Sequence, residues 1–184
     1  MIIFKETKLK GAFVIEPEKF EDARGFFARS FSQQEFRDQG LRSEFVEAGI
    51  SFNVRKHTLR GMHYQAAPNA QAKLVRCTRG AIYDVMIDLR TGSPTYKEWV
   101  AQELTAENRL LLYIPEGCAH GYQTLEDGSE VFYQLSGCYA PASERGVRWN
   151  DPAFGIRWPR TEGIVINERD RSYPDFEHAV FVEE

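Results

Sequence analysis

The sequence predicts a mostly β fold built as a single domain. The chain has 184 residues, of which 42% are hydrophobic and 13% are aromatic. A chain of this length can bury about 70% of its unfolded surface in one core. Aromatic residues favour strands, and turn-forming residues recur roughly every ten residues, as in sandwiches and barrels. We therefore expect one domain over residues 1–184, with few and short helices.

The strands are predicted from short runs of β-branched, aromatic and other apolar residues that lie between turn signals. Turns are indicated at sites such as Arg79-Gly80 and Asp127-Gly128. Each run is shorter than a typical helix, which favours a strand. The clearest runs are 73–77, 81–87, 110–114 and 130–135.

Helical signals are few. The pattern Ser32-Gln-Gln-Glu35 is a capping box, and it predicts a short helix that stops at Gly40. A second short helix is predicted near 105–108. The stretch from Asn167 onward is polar and contains Pro174, and we expect it to pack late or against a partner.

Net charge limits the possible binding partners, and cysteine content indicates the cellular compartment. The formal net charge is −4, so neither a nucleic acid nor a membrane has electrostatic support as a partner, although a local cationic cluster can still bind a small anion. Cys77, Cys118 and Cys138 are odd in number, lack CxxC spacing and accompany no secretory segment. We expect a reduced, cytoplasmic protein.

Residues 59–65 look like half of a metal site. Metal-binding β-barrels of similar pattern carry His-x-His and a carboxylate, followed by Pro-x-Gly-x-x-His. The second half is present as Pro115-Glu-Gly-Cys-Ala-His120. In the first half Gln65 replaces the second histidine, and Lys73 stands where a carboxylate is expected. Two imidazoles beside a cation fall short of a catalytic metal site, so we predict no metal and a His63 that is free to move protons.

A lone histidine is more often a hydrogen-bonded core residue than a catalytic one. The neighbours of His63 favour the second interpretation, because Arg60, Lys73 and His120 bring donors toward one concave surface. Clustered polar groups in a pocket need a ligand or water to satisfy their hydrogen bonds.

Further motifs accompany His63 along nearly the whole chain, and Tyr133 and Asp170 belong with them. They include Arg24-Gly-Phe-Phe27, Leu59-Arg-Gly-Met-His63, Lys73-Leu-Val75, Asp88-Leu-Arg90, Tyr139-Ala-Pro141, Glu144-Arg-Gly146 and Trp149-Asn-Asp-Pro152. In kind and order these motifs resemble the dTDP-4-dehydrorhamnose 3,5-epimerase family. The resemblance implies a cupin-type jelly roll, also called a double-stranded β-helix. It also implies no cofactor, and a homodimer in which an N-terminal strand of one subunit helps to close the other subunit's site.

The reaction implied by the resemblance inverts C3, C5 or both in a nucleotide-linked 4-keto-6-deoxyhexose of the dTDP-4-dehydro-6-deoxyglucose type. It needs a base, a group that stabilises the enolate, and an acid on the opposite face. His63 suits the base, since an imidazole titrates near neutrality, and Asp170 would orient it. Lys73 would stabilise the enolate oxygen. Tyr133 would supply the proton, because a phenol has an ordinary pKa of about 10.

The same resemblance implies a set of substrate-binding residues. Arg60 is expected on the diphosphate, since a guanidinium grips phosphate oxygens bidentately, and Arg24 is expected there from the partner subunit. The alternative role of both arginines is ordinary ion pairing at the surface. For Lys73 the alternative is a solvated charge at a strand edge, and for Tyr133 and Tyr139 it is an aromatic residue of the core. The remaining members of the set are His120, Tyr139, Glu144 and Arg169.

The chain departs from the family at the nucleoside and sugar contacts. Arg29 stands where an acidic residue is usual, and Glu47-Ala-Gly49 stands where Gln-Asp-Asn is usual. Arg29, Glu47 and Gly49 are retained as substrate-binding candidates, but the base and sugar are left open.

Two alternatives stay open. One is a C3-only or C5-only epimerase acting on a CDP- or GDP-linked sugar. The other is a non-catalytic cupin that binds a sugar nucleotide, which the joint presence of His63 and Tyr133 disfavours because binding needs no acid and base.

Overall fold

The computed structural model describes residues 1–176. Within them the chain forms thirteen strands and two short α-helices. The strands are β1 (Ile2–Glu6), β2 (Phe13–Pro17), β3 (Lys19–Asp22), β4 (Gly25–Ala28), β5 (Glu47–Asn53), β6 (Leu59–Gln65), β7 (Lys73–Arg79), β8 (Ala81–Asp88), β9 (Trp99–Thr105), β10 (Leu111–Ile114), β11 (Cys118–Thr124), β12 (Ser129–Leu135) and β13 (Glu144–Gly146). The helices are α1 (Gln33–Asp38) and α2 (Glu168–Arg171). The predicted mostly β class is confirmed.

Two antiparallel sheets build the fold. One has six strands in the order β1-β2-β10-β7-β12-β5, and the other has five in the order β13-β6-β11-β8-β9. The hairpin of β3 and β4 forms a separate two-stranded sheet. The order is far from sequential, because neighbouring strands such as β7 and β12 come from distant parts of the chain.

The core between the sheets follows from the two-residue period of the strands. Val75 and Cys77 of β7 and Val131 of β12 point inward and pack against residues of the opposite sheet such as Met86. Toward one end of the same strands the inward positions become polar. The next inward residue after Val75 in that direction is Lys73, and the next after Val131 is Tyr133. That change in polarity places a cavity at this end of the sandwich.

The outer faces are covered by the connecting segments. Trp149, Phe154 and Trp158 pack on the outside of the five-stranded sheet together with Leu59 and Met62. On the six-stranded sheet Phe36 of α1 packs over a second cluster, which consists of Ile2, Ile15, Ala72, Leu74, Leu111 and Tyr113.

The predicted strands are present, most with longer bounds. Helix α1 begins after Ser32, whose hydroxyl accepts a hydrogen bond from the Glu35 backbone N–H at 3.4 Å. The reciprocal half of the capping box is missing, because the Glu35 carboxylate accepts from Ile2 N at 2.8 Å instead. The second predicted helix is wrong: residues 106–108 form a turn in which Asn108 Oδ1 accepts from Thr105 N and Leu110 N.

Candidate active site

A cavity of ≈ 270 Å³ opens between the sheets at their polar end. Its walls come from both sheets and from the segment that carries α2. Most of the predicted site residues line it, namely Arg60, His63, Lys73, His120, Tyr133, Tyr139, Glu144, Arg169 and Asp170. Residues 50 or more positions apart in sequence thus share one pocket.

His63 and Asp170 form a hydrogen-bonded pair at the cavity wall. His63 Nε2 lies 2.8 Å from Asp170 Oδ1, while Asp170 Oδ2 accepts from the Gly61 backbone N–H at 3.0 Å. Burial alone raises the pKa of Asp170, but the bonds from His63 and Gly61 and the charge of Arg169 outweigh it and leave the pKa below its usual value. Asp170 is therefore a fixed anion that holds the ring. His63 Nδ1 makes no hydrogen bond to any residue among 1–176.

Local structure explains why the pair forms. Gly61 has φ +128°, and a Cβ there would come within 2.5 Å of Gly121 Cα, so only glycine lets β6 approach β11 this closely. On the other side, the Asn167 side chain accepts from Asp170 N at 2.7 Å and caps α2. The glycine and the cap together aim Asp170 at the strand that carries His63.

A second histidine–carboxylate pair lies beside the first. His120 is the direct cross-strand partner of His63, and its Nε2 lies 2.8 Å from Oδ1 of Asp84 on β8. Asp84 is fully buried, and its Oδ2 has no hydrogen-bond partner among the described residues. Burial lowers the pKa of His120 despite the neighbouring Asp84. His120 is thus suited to a neutral, hydrogen-bonding role.

Lys73 brings a positive charge to the cavity from β7. Its Nζ donates to the backbone carbonyl of His63 at 3.1 Å. Burial lowers the pKa of Lys73 to about 8, with the charges of Asp84 and Glu144 opposing the shift. The ammonium is therefore weakly solvated, which is the condition under which it interacts strongly with a developing oxyanion.

Tyr133 reaches the cavity from β12 of the six-stranded sheet, whereas His63 reaches it from β6 of the five-stranded sheet. The two side chains thus approach the cavity from opposite walls. The Tyr133 hydroxyl makes no hydrogen bond to any residue among 1–176. A base and an acid on opposite faces of a ligand is the arrangement that inversion of a carbon requires.

A chain of polar contacts closes the rim. The Tyr139 hydroxyl donates to Glu144 Oε2 at 2.7 Å, and Arg169 Nη1 donates to Glu144 Oε1 at 2.9 Å. Arg169 Nη2 comes within 3.5 Å of His63 Nε2. Glu47, which stands where glutamine is usual in the family, accepts from the Tyr139 backbone N–H at 3.1 Å and so supports the loop that carries Tyr139.

Gln65 takes over a structural task where a metal-binding barrel has a histidine. Its amide donates to the carbonyls of Asn69 and Cys138 and accepts from Ala140 N at 2.7 Å. The side chain thereby pins the loop that carries Tyr139. No group of three or more His, Cys, Asp or Glu side chains that could hold a metal occurs in the described part of the chain.

Two side chains that contact the histidines of the site, Asp84 and Tyr173, were missed by the sequence interpretation. Asp84 had a signal, since it is a carboxylate in the middle of an otherwise apolar strand. Tyr173 had none, because it lies in the polar C-terminal stretch. Its ring packs edge-on against His63 at a centroid distance of 6.3 Å, and it fills the space that a Cβ on Gly146, the cross-strand partner of His63, would occupy.

Of the remaining predicted residues, Arg24 and Arg29 lie away from the cavity of the single chain, whereas Gly49 lies in its wall behind Tyr133. Arg24 is exposed and pairs with Asp22 at 2.5 Å in the hairpin of β3 and β4. Arg29 Nη1 lies 3.1 Å from Glu35 Oε1. Gly49 is the cross-strand partner of Tyr133 and lies beneath its ring.

Comparison with known proteins identifies the family. The sequence pattern of dTDP-4-dehydrorhamnose 3,5-epimerase matches residues 6–178. The protein of that name from Salmonella typhimurium strain LT2 is 41% identical over 184 residues, covering 100% of both chains. The chain belongs to the dTDP-4-dehydrorhamnose 3,5-epimerase family.

Solved structures agree with this family. The crystal structure of dTDP-4-dehydrorhamnose 3,5-epimerase from Elizabethkingia anophelis NUHP1 has a TM-score of 0.93 and 37% identity, covering 96% of this chain and 97% of that one. ChmJ, a 3′-monoepimerase from Streptomyces bikiniensis in complex with dTDP-quinovose, has a TM-score of 0.84 and 32% identity, covering 92% and 85%. The predicted cupin-type jelly roll is confirmed, and so is the reaction class: the chain is an isomerase, an epimerase of nucleotide-linked 4-keto-6-deoxy sugars.

Proposed function

We propose that the protein epimerises a dTDP-linked 4-keto-6-deoxyhexose at C3 and C5, with His63 as base and Tyr133 as acid. The observation that carries this assignment is the placement of the His63–Asp170 pair and Tyr133 on opposite walls of one cavity. Membership of the epimerase family supports the dTDP sugar as substrate.

The first step removes the hydrogen from the carbon next to the C4 carbonyl. His63 donates Nε2–H to Asp170, which leaves the lone pair of Nδ1 to accept the sugar proton. The imidazolium that forms is stabilised by the Asp170 carboxylate, whose lowered pKa keeps it ionised. The electron pair of the broken C–H bond moves into the enolate, and its charge collects on the C4 oxygen.

The enolate is stabilised from the floor of the cavity. Lys73 directs its charge at the C4 oxygen. Neutral His120 uses its one N–H on Asp84, so it lines the cavity beside Lys73 without donating to the enolate. Tyr133 then donates its hydroxyl proton to the opposite face of the carbon, so the carbon is inverted. Solvent exchange returns the proton from His63 to Tyr133 between turnovers.

Substrate binding draws on the cations at the rim. Arg60, oriented by Asn53 Oδ1 at 2.8 Å, is placed to bind the diphosphate. Arg169, Glu144 and Tyr139 form the linked set that faces the sugar. Arg24 and Arg29 lie outside the cavity of their own chain, and Arg24 on its exposed hairpin is available to a second subunit.

The protein is proposed to act as a homodimer that uses one domain per subunit and works in the cytoplasm. Two exposed apolar features support the dimer: the outer face of edge strand β5 with Ile50 and Phe52, and the hairpin that carries Phe26 and Phe27. The structure shows the three cysteines to be free, as a reducing compartment requires. No helix in the described part of the chain is long and apolar enough to span a membrane.

The 3′-monoepimerase among the similar structures gives a second candidate, inversion at C3 alone. The two candidates differ only in whether C5 is also presented to His63. Incubation in heavy water with dTDP-, CDP- and GDP-4-keto-6-deoxyglucose, followed by mass spectrometry and NMR, locates the label. Label at C3 and C5 of the dTDP sugar supports the proposal, label at C3 alone supports the second candidate, and no label with any nucleotide refutes both.

Variants test the roles in the same assay. His63→Ala should lower exchange about 10²- to 10⁴-fold while dTDP still binds. Tyr133→Phe should preserve exchange through the enolate while net inversion slows at least tenfold. Tyr83→Phe, which removes a hydroxyl outside the cavity, is the matched control. Normal exchange in His63→Ala or normal inversion in Tyr133→Phe would remove the respective residue from its role.

A further inference from the structure

Gly49 lies at one of the positions where the sequence departs from the family. It is on β5, directly opposite Tyr133 of β12 in the antiparallel register. Glu47 and Ser51 lie on the same face of the strand, and Ser51 lines the cavity. Gly49 is therefore part of the wall from which Tyr133 projects.

The Tyr133 ring occupies the space of a missing side chain. A Cβ built on Gly49 would lie 2.7 Å from Tyr133 Cζ and 2.8 Å from both Cε2 and the hydroxyl oxygen. Real Cβ atoms do not approach other heavy atoms this closely. The ring thus lies across the backbone of Gly49, and its present position requires glycine there.

The contact between Gly49 and the Tyr133 ring stabilises both residues. Glycine weakens a strand because it has no side chain to pack, and β5 is an edge strand of its sheet. A cross-strand aromatic ring covers such a glycine and restores the lost packing. The Tyr133 hydroxyl has no hydrogen-bond partner among residues 1–176. Packing against Gly49 holds the ring on the β5 side, while Val75 is the cross-strand partner of Tyr133 on the β7 side.

We propose that Gly49 is a positioning residue that keeps the Tyr133 hydroxyl against β5, at the edge of the cavity. A methyl group at position 49 displaces the ring toward the opposite wall, where His63 lies, and narrows the space for the sugar. The inference rests on the proposed function of Tyr133 as proton donor. It goes further by assigning the donor's position to a residue that makes no polar contact with substrate.

A double-mutant cycle that measures Tm tests the packing of the Tyr133 ring on Gly49 independently of catalysis. Gly→Ala in a strand ordinarily raises Tm, because glycine loses more backbone entropy on folding. Gly49→Ala should instead lower Tm in the native background, because the methyl meets the ring, and should raise it in the Tyr133→Ala background, where the ring is absent. Gly92→Ala, whose Cβ meets nothing within 4 Å, is the matched control and should not lower Tm in either background. If Gly49→Ala changes Tm in the same direction in both backgrounds, the proposed contact between the ring and Gly49 is wrong.

An isotope assay tests the positioning role. In heavy water Gly49→Ala should lower the ratio of net inversion to hydrogen exchange about tenfold or more, since displacement of a reacting group by about 1 Å has effects of this size. In the Tyr133→Phe background, which lacks the hydroxyl, Gly49→Ala should leave the ratio unchanged. Gly92→Ala should leave it unchanged in the native enzyme.

The outcomes separate this inference from the proposed function. An unchanged ratio in Gly49→Ala, or an equal fall in both backgrounds, overturns the positioning role while the assignment of Tyr133 stands. If Tyr133→Phe alone leaves inversion intact, the donor assignment fails and the positioning role fails with it. The Tm cycle reports on the ring and the glycine in either case.

Discussion

At the scale of single residues, two histidines that face each other across β6 and β11 have different environments. The His63 side chain is 25% exposed and contacts Asp170 at the open wall, whereas that of His120 is 11% exposed and contacts the fully buried Asp84. Burial lowers the pKa of His120, so it stays neutral. The same residue type is therefore suited to carry a proton at one position and to stay neutral at the other, with its single N–H directed at Asp84.

The pKa of Lys73 sets an upper pH limit for activity. Its pKa is lowered to about 8, so the ammonium that we propose stabilises the enolate is lost as pH rises through about 8. We expect kcat/KM for epimerisation to fall above pH 8. Lys73→Arg, which stays charged, should lower kcat/KM about tenfold or more at pH 7 but remove this decline. A wild-type profile that stays flat to pH 10 would contradict the role.

Tyr173 is expected to hold the His63 ring through packing alone. Tyr173→Ala opens space beside the imidazole and should lower kcat about tenfold with little change in KM, while Tyr173→Phe keeps the ring and should retain activity. Tyr83 packs edge-on against Trp158 at the same 6.3 Å centroid distance but outside the cavity. Tyr83→Ala should therefore reduce Tm without a comparable loss of kcat. Equal kcat losses in Tyr173→Phe and Tyr173→Ala would assign the role to the hydroxyl instead.

At the scale of elements, the short helix α2 carries the dyad carboxylate. Its N-cap Asn167 accepts from Asp170 N, so the cap and the carboxylate that bonds to His63 share one turn. Asn167→Ala should lower the free energy of unfolding by about 1 kcal/mol and also reduce kcat, because Asp170 loses its anchor. Ser32→Ala removes the cap of α1 away from the cavity, and it should lower stability with kcat intact. Urea unfolding and initial rates measure both effects.

The same elements show how far sequence patterns reach. Strands such as β7 and β12 are predictable because their apolar residues lie between turn signals, and His63, Lys73 and Tyr133 are predictable from motifs. The turn at 106–108 resembles a helix start, because Thr105 and Asn108 bond to nearby backbone N–H groups as caps do. Asp84 and Tyr173 depend on which strands become neighbours. That information is in the sheet order, not in local spacing.

At the scale of the whole molecule, a buried carboxylate ties distant segments together. Burial raises the pKa of Asp88, but hydrogen bonds from Arg90, Ser93 and Thr95 outweigh it and lower the pKa to about 2. Arg90 also donates to the Lys10 carbonyl at 2.8 Å. Because the folded pKa is below the usual 3.8, this carboxylate stabilises the fold above about pH 4, and the contribution is lost as pH falls toward 2.

The expected consequence is an acid-dependent difference between two proteins. Asp88→Asn should lower the free energy of unfolding by about 1–3 kcal/mol at pH 6, and the gap should close between pH 4 and pH 2. Urea unfolding at a series of pH values measures it. A gap that is independent of pH would show that the cluster acts through packing and not through charge.

At the scale of assembly, two exposed features of the subunit are available for contact with a second copy. On the outer face of edge strand β5, Ile50 is 64% exposed and Phe52 is 48% exposed, and both are apolar. An exposed apolar edge strand invites association, and an isologous dimer covers the same face on both subunits. The hairpin of β3 and β4 makes no ladder with either sheet of its own chain, which leaves Arg24 at its tip free to reach a neighbour.

Disrupting that face should therefore affect both mass and activity. Ile50→Lys should shift the protein from dimer to monomer in sedimentation velocity, because it puts an ammonium group on the apolar face that the proposed dimer would bury. Since we propose that the partner's hairpin helps to bind the diphosphate, KM should rise about tenfold or more with the loss of the dimer. Arg24→Ala should raise KM while the dimer persists. Val165→Lys, at an exposed apolar position outside both sheets, is the matched control and should change neither property. A fully active monomer of Ile50→Lys would show that each subunit completes its own site.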